Sequence, residues 1–95
     1  MRPLRVTARA ARDLKEAVGF IAQGNPMAAE TLAARLDETM ALLARFPEAG
    51  PALPGRSFRI LQVAGTPYRL VYSLSGAEVT TLRVWHGARA WPPAS

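Results

Sequence analysis

Apolar residues along this chain change period near residue 56, from helical spacing before it to alternation after it. Between 8 and 23, Leu14, Val18 and Ile21 fall at i, i+4 and i+7, with Ala10, Ala11 and Ala17 beside them. Arg9, Arg12, Asp13, Lys15 and Glu16 lie largely on the other side, so the spacing predicts an amphipathic helix. From about Pro26 to Phe46, Leu32, Leu36, Met40 and Leu43 make a second stripe, with Ala28, Ala29 and Ala33 small enough to admit a close neighbour. "GNP" at 24–26 separates the two. Gly24 ends the first helix, Asn25 is a natural N-cap and Pro26 a natural first helical residue. Two helices joined this tightly predict a helical hairpin.

Strand-like alternation flanks the hairpin. "PLRVT" at 3–7 predicts a short strand, whose Thr7 can cap the first helix. Three further strands are predicted at about 57–63, 68–74 and 78–85, with "AGTP" and "SGA" as the turns. Residues 46–56, "FPEAGPALPGR", read as a loop within one domain spanning 1–95, because neither flank could fold alone. The order is β-α-α-β-β-β. It predicts an α+β fold with a helical hairpin packed on one face of a small, mainly antiparallel sheet.

Strand parity carries this further. Phe58 and Ile60 oppose Arg59, Leu61 and Val63. Tyr68, Leu70 and Tyr72 oppose Arg69 and Val71. Leu82 and Val84 oppose Thr81, Arg83 and Trp85. If the arginine-free faces meet the helices, Arg59, Arg69 and Arg83 share the open face beside Trp85. Such a face could bind phosphate, with the indole as a platform for a base, or it could simply be the polar side of a sheet.

Charge and composition narrow the classes. Twelve basic residues stand against seven acidic ones, a net charge of +5, and Lys15 is the only lysine. A small basic domain attracts nucleic acid or an acidic protein partner. Cysteine is absent and His86 is the only histidine. Disulfides, thiolate metal sites and a cysteine nucleophile are therefore excluded, and neither a metal nor a cofactor is expected. No apolar run is long enough to span a membrane, so the expectation is a cytoplasmic protein.

The chemistry-bearing residues concentrate in "RVWHGARAWP", 83–92. His86 can act as a general acid or base, or order the strand end through a backbone hydrogen bond. Glu48 can be a carboxylate base or a solvated loop residue. Ser57, Ser73 and Ser75 sit in no nucleophile motif, and Walker, dinucleotide and H-E-x-x-H patterns are absent. Gly87 lets the chain turn off the last strand. Beyond it, Arg89 and Trp91 either pack back on the domain or meet a target.

These pieces, in this order, resemble the RelE/ParE toxin superfamily, the toxins of bacterial type II toxin–antitoxin pairs. "ARDLKEAVGFIAQGNPMAAETLAARL" is similar to its two helices and "NP" turn. "LLARFPEAGPALPGRSFRILQV" is similar to its P-x-x-G loop and the R-x-L start of the next strand. "YRLVYSLSGAEVTTLRVWHGAR" is similar to its final hairpin. The resemblance implies one of two activities, and a small antitoxin that binds the toxin in a hetero-oligomer.

RelE-like members cut mRNA on the ribosome; here Arg69, His86 and Glu48 would be the catalytic set. ParE-like members inhibit DNA gyrase and imply no catalytic residues of their own. A tyrosine is missing after His86, where Gly87 stands, and the 46–56 loop lacks lysines. "HGAR" resembles the ParE-like ending. The expectation is therefore a gyrase inhibitor whose target-binding residues are Arg59, Arg69, Arg83, Trp85, His86, Arg89 and Trp91.

Overall fold

The computed structural model describes residues 4–76 and 78–89. Strand β1 (Leu4–Val6) leads into helices α1 (Ala8–Gly24) and α2 (Pro26–Arg45). Strands β2 (Arg59–Gln62), β3 (Tyr68–Ser75) and β4 (Glu78–His86) follow. Each expected element is present, and the α+β order holds.

Local chemistry sets the helix ends. The Thr7 hydroxyl accepts the Ala10 N–H at 3.0 Å and donates to the Leu82 carbonyl at 3.0 Å, so the cap of α1 is also its tie to β4. Asn25 serves both helices. Its N–H donates to the Ile21 carbonyl at 2.9 Å, and its side-chain oxygen accepts the Ala28 N–H at 3.1 Å. Gly65 and Gly76 take positive φ in the two hairpin turns, where other residues would be strained.

The sheet runs β1-β4-β3-β2, antiparallel except for β1, which lies parallel to β4. Leu32, Leu36, Met40 and Leu43 of α2 pack on Leu70, Tyr72, Val79 and Val84, with Leu14, Val18 and Ile21 of α1 closing one side. No helix among the described residues is long and apolar enough to cross a membrane.

Two expected faces are corrected. Arg59 pairs with Tyr72 and Leu61 with Leu70, so Arg59, Leu61 and Val63 lie on the helix side and Arg59 leaves the open face. Both faces of β2 are apolar, and the pairing with β3 decides between them. In β4, the register passes from Val71–Arg83 to Tyr72–Thr81 and skips Leu82, which forms a β-bulge. The extra residue turns Thr81 toward the helices, while Arg83 and Trp85 stay on the other face.

Thr81 is fully buried, and its hydroxyl has no hydrogen-bond partner among the described residues. Thr81→Val removes that unmatched group at nearly constant shape. It is expected to raise unfolding stability by about 1 kcal/mol, read as a higher urea midpoint at unchanged slope. A lower midpoint would mean that the hydroxyl is satisfied in solution.

Candidate functional site at the end of the last strand

The parallel pairing of β1 reaches only Val79, Thr80 and Thr81. Beyond it α1 lies beside the outer edge of β4 and meets it at Val84. Asp13, on the polar side of that helix, meets the edge. Its carboxylate accepts from Arg83 Nε at 2.7 Å and Nη2 at 3.2 Å, and from the Val84 N–H at 3.1 Å. Arg9 Nε stands 3.6 Å away, one turn earlier. The side chains of Asp13 and Arg83 are only 9% and 18% exposed, so this is a largely desolvated bidentate pair.

Arg83 is thereby held across the Trp85 ring, its guanidinium carbon 4.9 Å from the ring centroid. Arg89 lies 5.9 Å from the same centroid. The indole N–H donates to the Arg89 carbonyl at 3.1 Å, so Trp85 holds Arg89 by its backbone as well as by its ring. The ring is 6% exposed. The expected stacking platform is thus covered, and this side of the sheet is built around a buried indole.

The chain leaves β4 through a tight turn. Gly87 N–H donates to the Pro67 carbonyl at 2.7 Å, and Arg89 N–H to the His86 carbonyl at 3.0 Å. Close approach favours glycine at 87, since a Cβ there would lie 3.0 Å from the Pro67 oxygen; its φ is not positive. His86 Nδ1 accepts the Ala88 N–H at 3.0 Å, which puts the proton of the neutral ring on Nε2. The ring stands edge-on to Tyr68, with centroids 5.1 Å apart.

Arg69 pairs with Trp85 across the ladder and is exposed; its Nε donates to the Gln62 side chain at 3.3 Å. The structure therefore brings Arg69, Arg83, Trp85, His86 and Arg89 to one end of the sheet. Trp91 lies outside the described residues.

Arg59 and Glu48 belong to a different cluster. Arg59 Nη1 donates to the Gly50 carbonyl at 2.9 Å. The buried Tyr72 hydroxyl donates to the Pro47 carbonyl at 2.8 Å and accepts the Gly50 N–H at 2.9 Å, fastening the 47–50 turn to the sheet. Burial pushes the Tyr72 hydroxyl above the usual tyrosine value, against the lowering effect of the Gly50 hydrogen bond and of Arg59. Glu48 is exposed on this turn. The Tyr72 end of β3 is separated from the Tyr68–His86 pair by about 13 Å of strand.

Sequence reasoning missed Asp13, which reads as one more charge on a solvated helix face. The only local signal was its i, i+4 spacing from Arg9.

Comparison with known proteins places this geometry. Residues 4–91 match the family model for the ParE toxin of the type II toxin–antitoxin system parDE. The chain is 37% identical over 91 residues to "Putative toxin Y4kP" of Sinorhizobium fredii (strain NBRC 101917 / NGR234), covering 94% of this chain and 92% of that protein. Its fold is similar to that of a chain from the chromosomal ParDE TA system of P. aeruginosa. The TM-score is 0.78 at 22% identity, over 90% of this chain and 96% of the other. It is also similar to a mutant YafQ from E. coli, with a TM-score of 0.59 at 18% identity, over 93% and 96%. With the family match running from β1 past the Arg89 turn and a relative well above 30% identity along nearly its whole length, this chain belongs to the ParE toxin family of type II toxin–antitoxin systems.

Proposed function

We propose that this toxin inhibits DNA gyrase and is neutralised by a cognate antitoxin in a hetero-oligomeric complex in the cytoplasm. The family match from residue 4 to residue 91 carries the reading. The disposition of the candidate catalytic groups supports it. An RNA-cleaving site needs an acid–base pair within reach of one substrate. Here His86 commits Nδ1 to the backbone, and Glu48 sits on the turn that Tyr72 fastens. What the strand end offers instead is a set of cations held on a buried indole, suited to binding a macromolecular surface. The antitoxin segment that meets this +5 chain is expected to be acidic, amphipathic and partly helical, lying against the sheet and helices.

One observation favours the alternative, a RelE-like, ribosome-dependent mRNA endoribonuclease. Arg69 and His86 do share one end of the sheet, since a Cβ on Gly87 would lie 3.6 Å from Arg69 Nε. The deciding experiment is supercoiling by purified gyrase with the antitoxin-free toxin added. Dose-dependent inhibition is expected, weakened about tenfold by Arg89→Ala, as for a central contact arginine. No inhibition by folded protein, together with ribosome-dependent mRNA cleavage that is lost in His86→Ala, would replace this reading with the alternative.

A further inference from the structure

Between α1 and the end of β4 lies a cleft of about 490 Å³, with Glu16, Ala17 and Phe20 on one wall and Trp85, His86 and Arg89 on the other. It exists because Thr7 and Asp13 fix the start of α1 against Leu82 and Val84, while nothing among the described residues pairs with the rest of that edge. The chemistry of its walls is mixed in a definite way. Phe20 is 73% exposed at the rim, an unusual cost for an aromatic side chain in water. Val84 N–H points outward to Asp13 and Gly87 N–H inward to Pro67, so alternation along the strand directs the His86 N–H into the cleft. Arg89 is oriented by Trp85 through both ring and backbone.

We infer that this cleft is an anchor site for the antitoxin, taking an apolar side chain against Phe20 and Ala17 and a neighbouring carboxylate on Arg89. The His86 N–H donates to a backbone carbonyl of the same segment. This inference rests on the proposed antitoxin reading and assigns it a place. The walls select a peptide over nucleic acid. Asp13 is already neutralised by Arg83, and the apolar wall of Ala17 and Phe20 offers a phosphate backbone no partner, whereas an apolar side chain with one neighbouring carboxylate matches that wall, Arg89 and the net charge of +5. The exposed Phe20, beside a cation already oriented, is the arrangement of an interface hot spot.

The test uses the whole toxin, labelled with 15N, and the synthetic peptide Ac-Glu-Leu-Phe-Asp-NH2, with a lysine-for-acid twin and a single-stranded oligonucleotide as competitors. The acidic peptide is expected to shift the His86 and Phe20 amides. Its affinity should fall about tenfold in Phe20→Ser, a surface change that leaves the core intact, and again in Arg89→Glu. Shifts centred elsewhere, equal binding by the basic twin, or preferential binding of the oligonucleotide would overturn the assignment. A separate arm isolates the parent reading. If the antitoxin restores supercoiling equally with wild-type and Phe20→Ser toxin, the antitoxin reading stands and the cleft assignment falls. If no antitoxin restores it, the parent reading falls, and the peptide shifts still decide whether the cleft binds an acidic segment.

Discussion

Replacing Asp13 with alanine is expected to lower unfolding stability by about 3 kcal/mol, the low end of the range for breaking a buried ion pair. The carboxylate accepts two hydrogen bonds from Arg83 and one from the Val84 amide at the edge of β4. Without it, both donors lose their acceptor in a place where water reaches poorly. Arg83 is 18% exposed and can turn partly toward solvent, which keeps the cost from reaching the upper end. Asp13→Asn retains one acceptor oxygen and should cost about half as much, since a neutral acceptor bonds a guanidinium less strongly. Denaturant unfolding of the three proteins gives both numbers. A loss under about 0.5 kcal/mol for the alanine variant would show that the pair behaves like an exposed one. The consequence reaches the site, because Arg83 is the group that covers Trp85 from one side.

Much of this architecture was legible in the chain, and the reasons are local. Thr7 and Asn25 mark helix starts by accepting from N–H groups three positions on, and Pro26 marks one by occupying a first-turn position whose N–H needs no partner, so the amino-acid types alone announce them. The α2 stripe of Leu32, Leu36, Met40 and Leu43 is buried as its spacing predicts. What stayed hidden depends on partners distant in sequence. Asp13 meets a strand edge 70 residues on, and nothing near it in the chain signals that edge. The bulge at Leu82 adds one residue to an alternating pattern, and alternation cannot show which residue is extra. Arg59 lies on the face opposite to the expected one because Phe58 and Ile60 are as apolar as Leu61 and Val63, so composition does not distinguish the two faces of β2. Within the candidate site, strand parity accounts for Arg69 and Arg83 beside Trp85, but not for Arg89, which lies beyond the strand. The separation of Glu48 from His86 did not, because it depends on where Tyr72 fastens the 47–50 turn.

That fastening makes Gly50 the second position of large effect. A Cβ there would lie 2.8 Å from both Cε1 and the hydroxyl oxygen of Tyr72, and 2.9 Å from the Ile60 carbonyl oxygen. Neither neighbour can withdraw cheaply. Tyr72 is fully buried in the core, and Ile60 is held by its pairing with Val71 in β2 and β3. Gly50→Ala should therefore push the turn off the sheet and break the hydrogen bonds that Tyr72 makes to Gly50 and Pro47. The expected loss is about 3 kcal/mol, from overpacking together with a buried amide left unmatched. Tyr72→Phe alone should cost about 1–2 kcal/mol, because it removes the hydroxyl and leaves the Gly50 N–H without its acceptor. The double variant distinguishes this mechanism from general damage. If Gly50→Ala acts by displacing the turn from the hydroxyl, the hydroxyl contributes nothing in that background, and the double variant loses less than the sum of the two single losses. The Ile60 carbonyl still blocks the Cβ, so the double variant stays well below the wild type. Strictly additive losses in a denaturant cycle would mean that the turn stays in place when Gly50 is changed, and that the tyrosine is not what holds it.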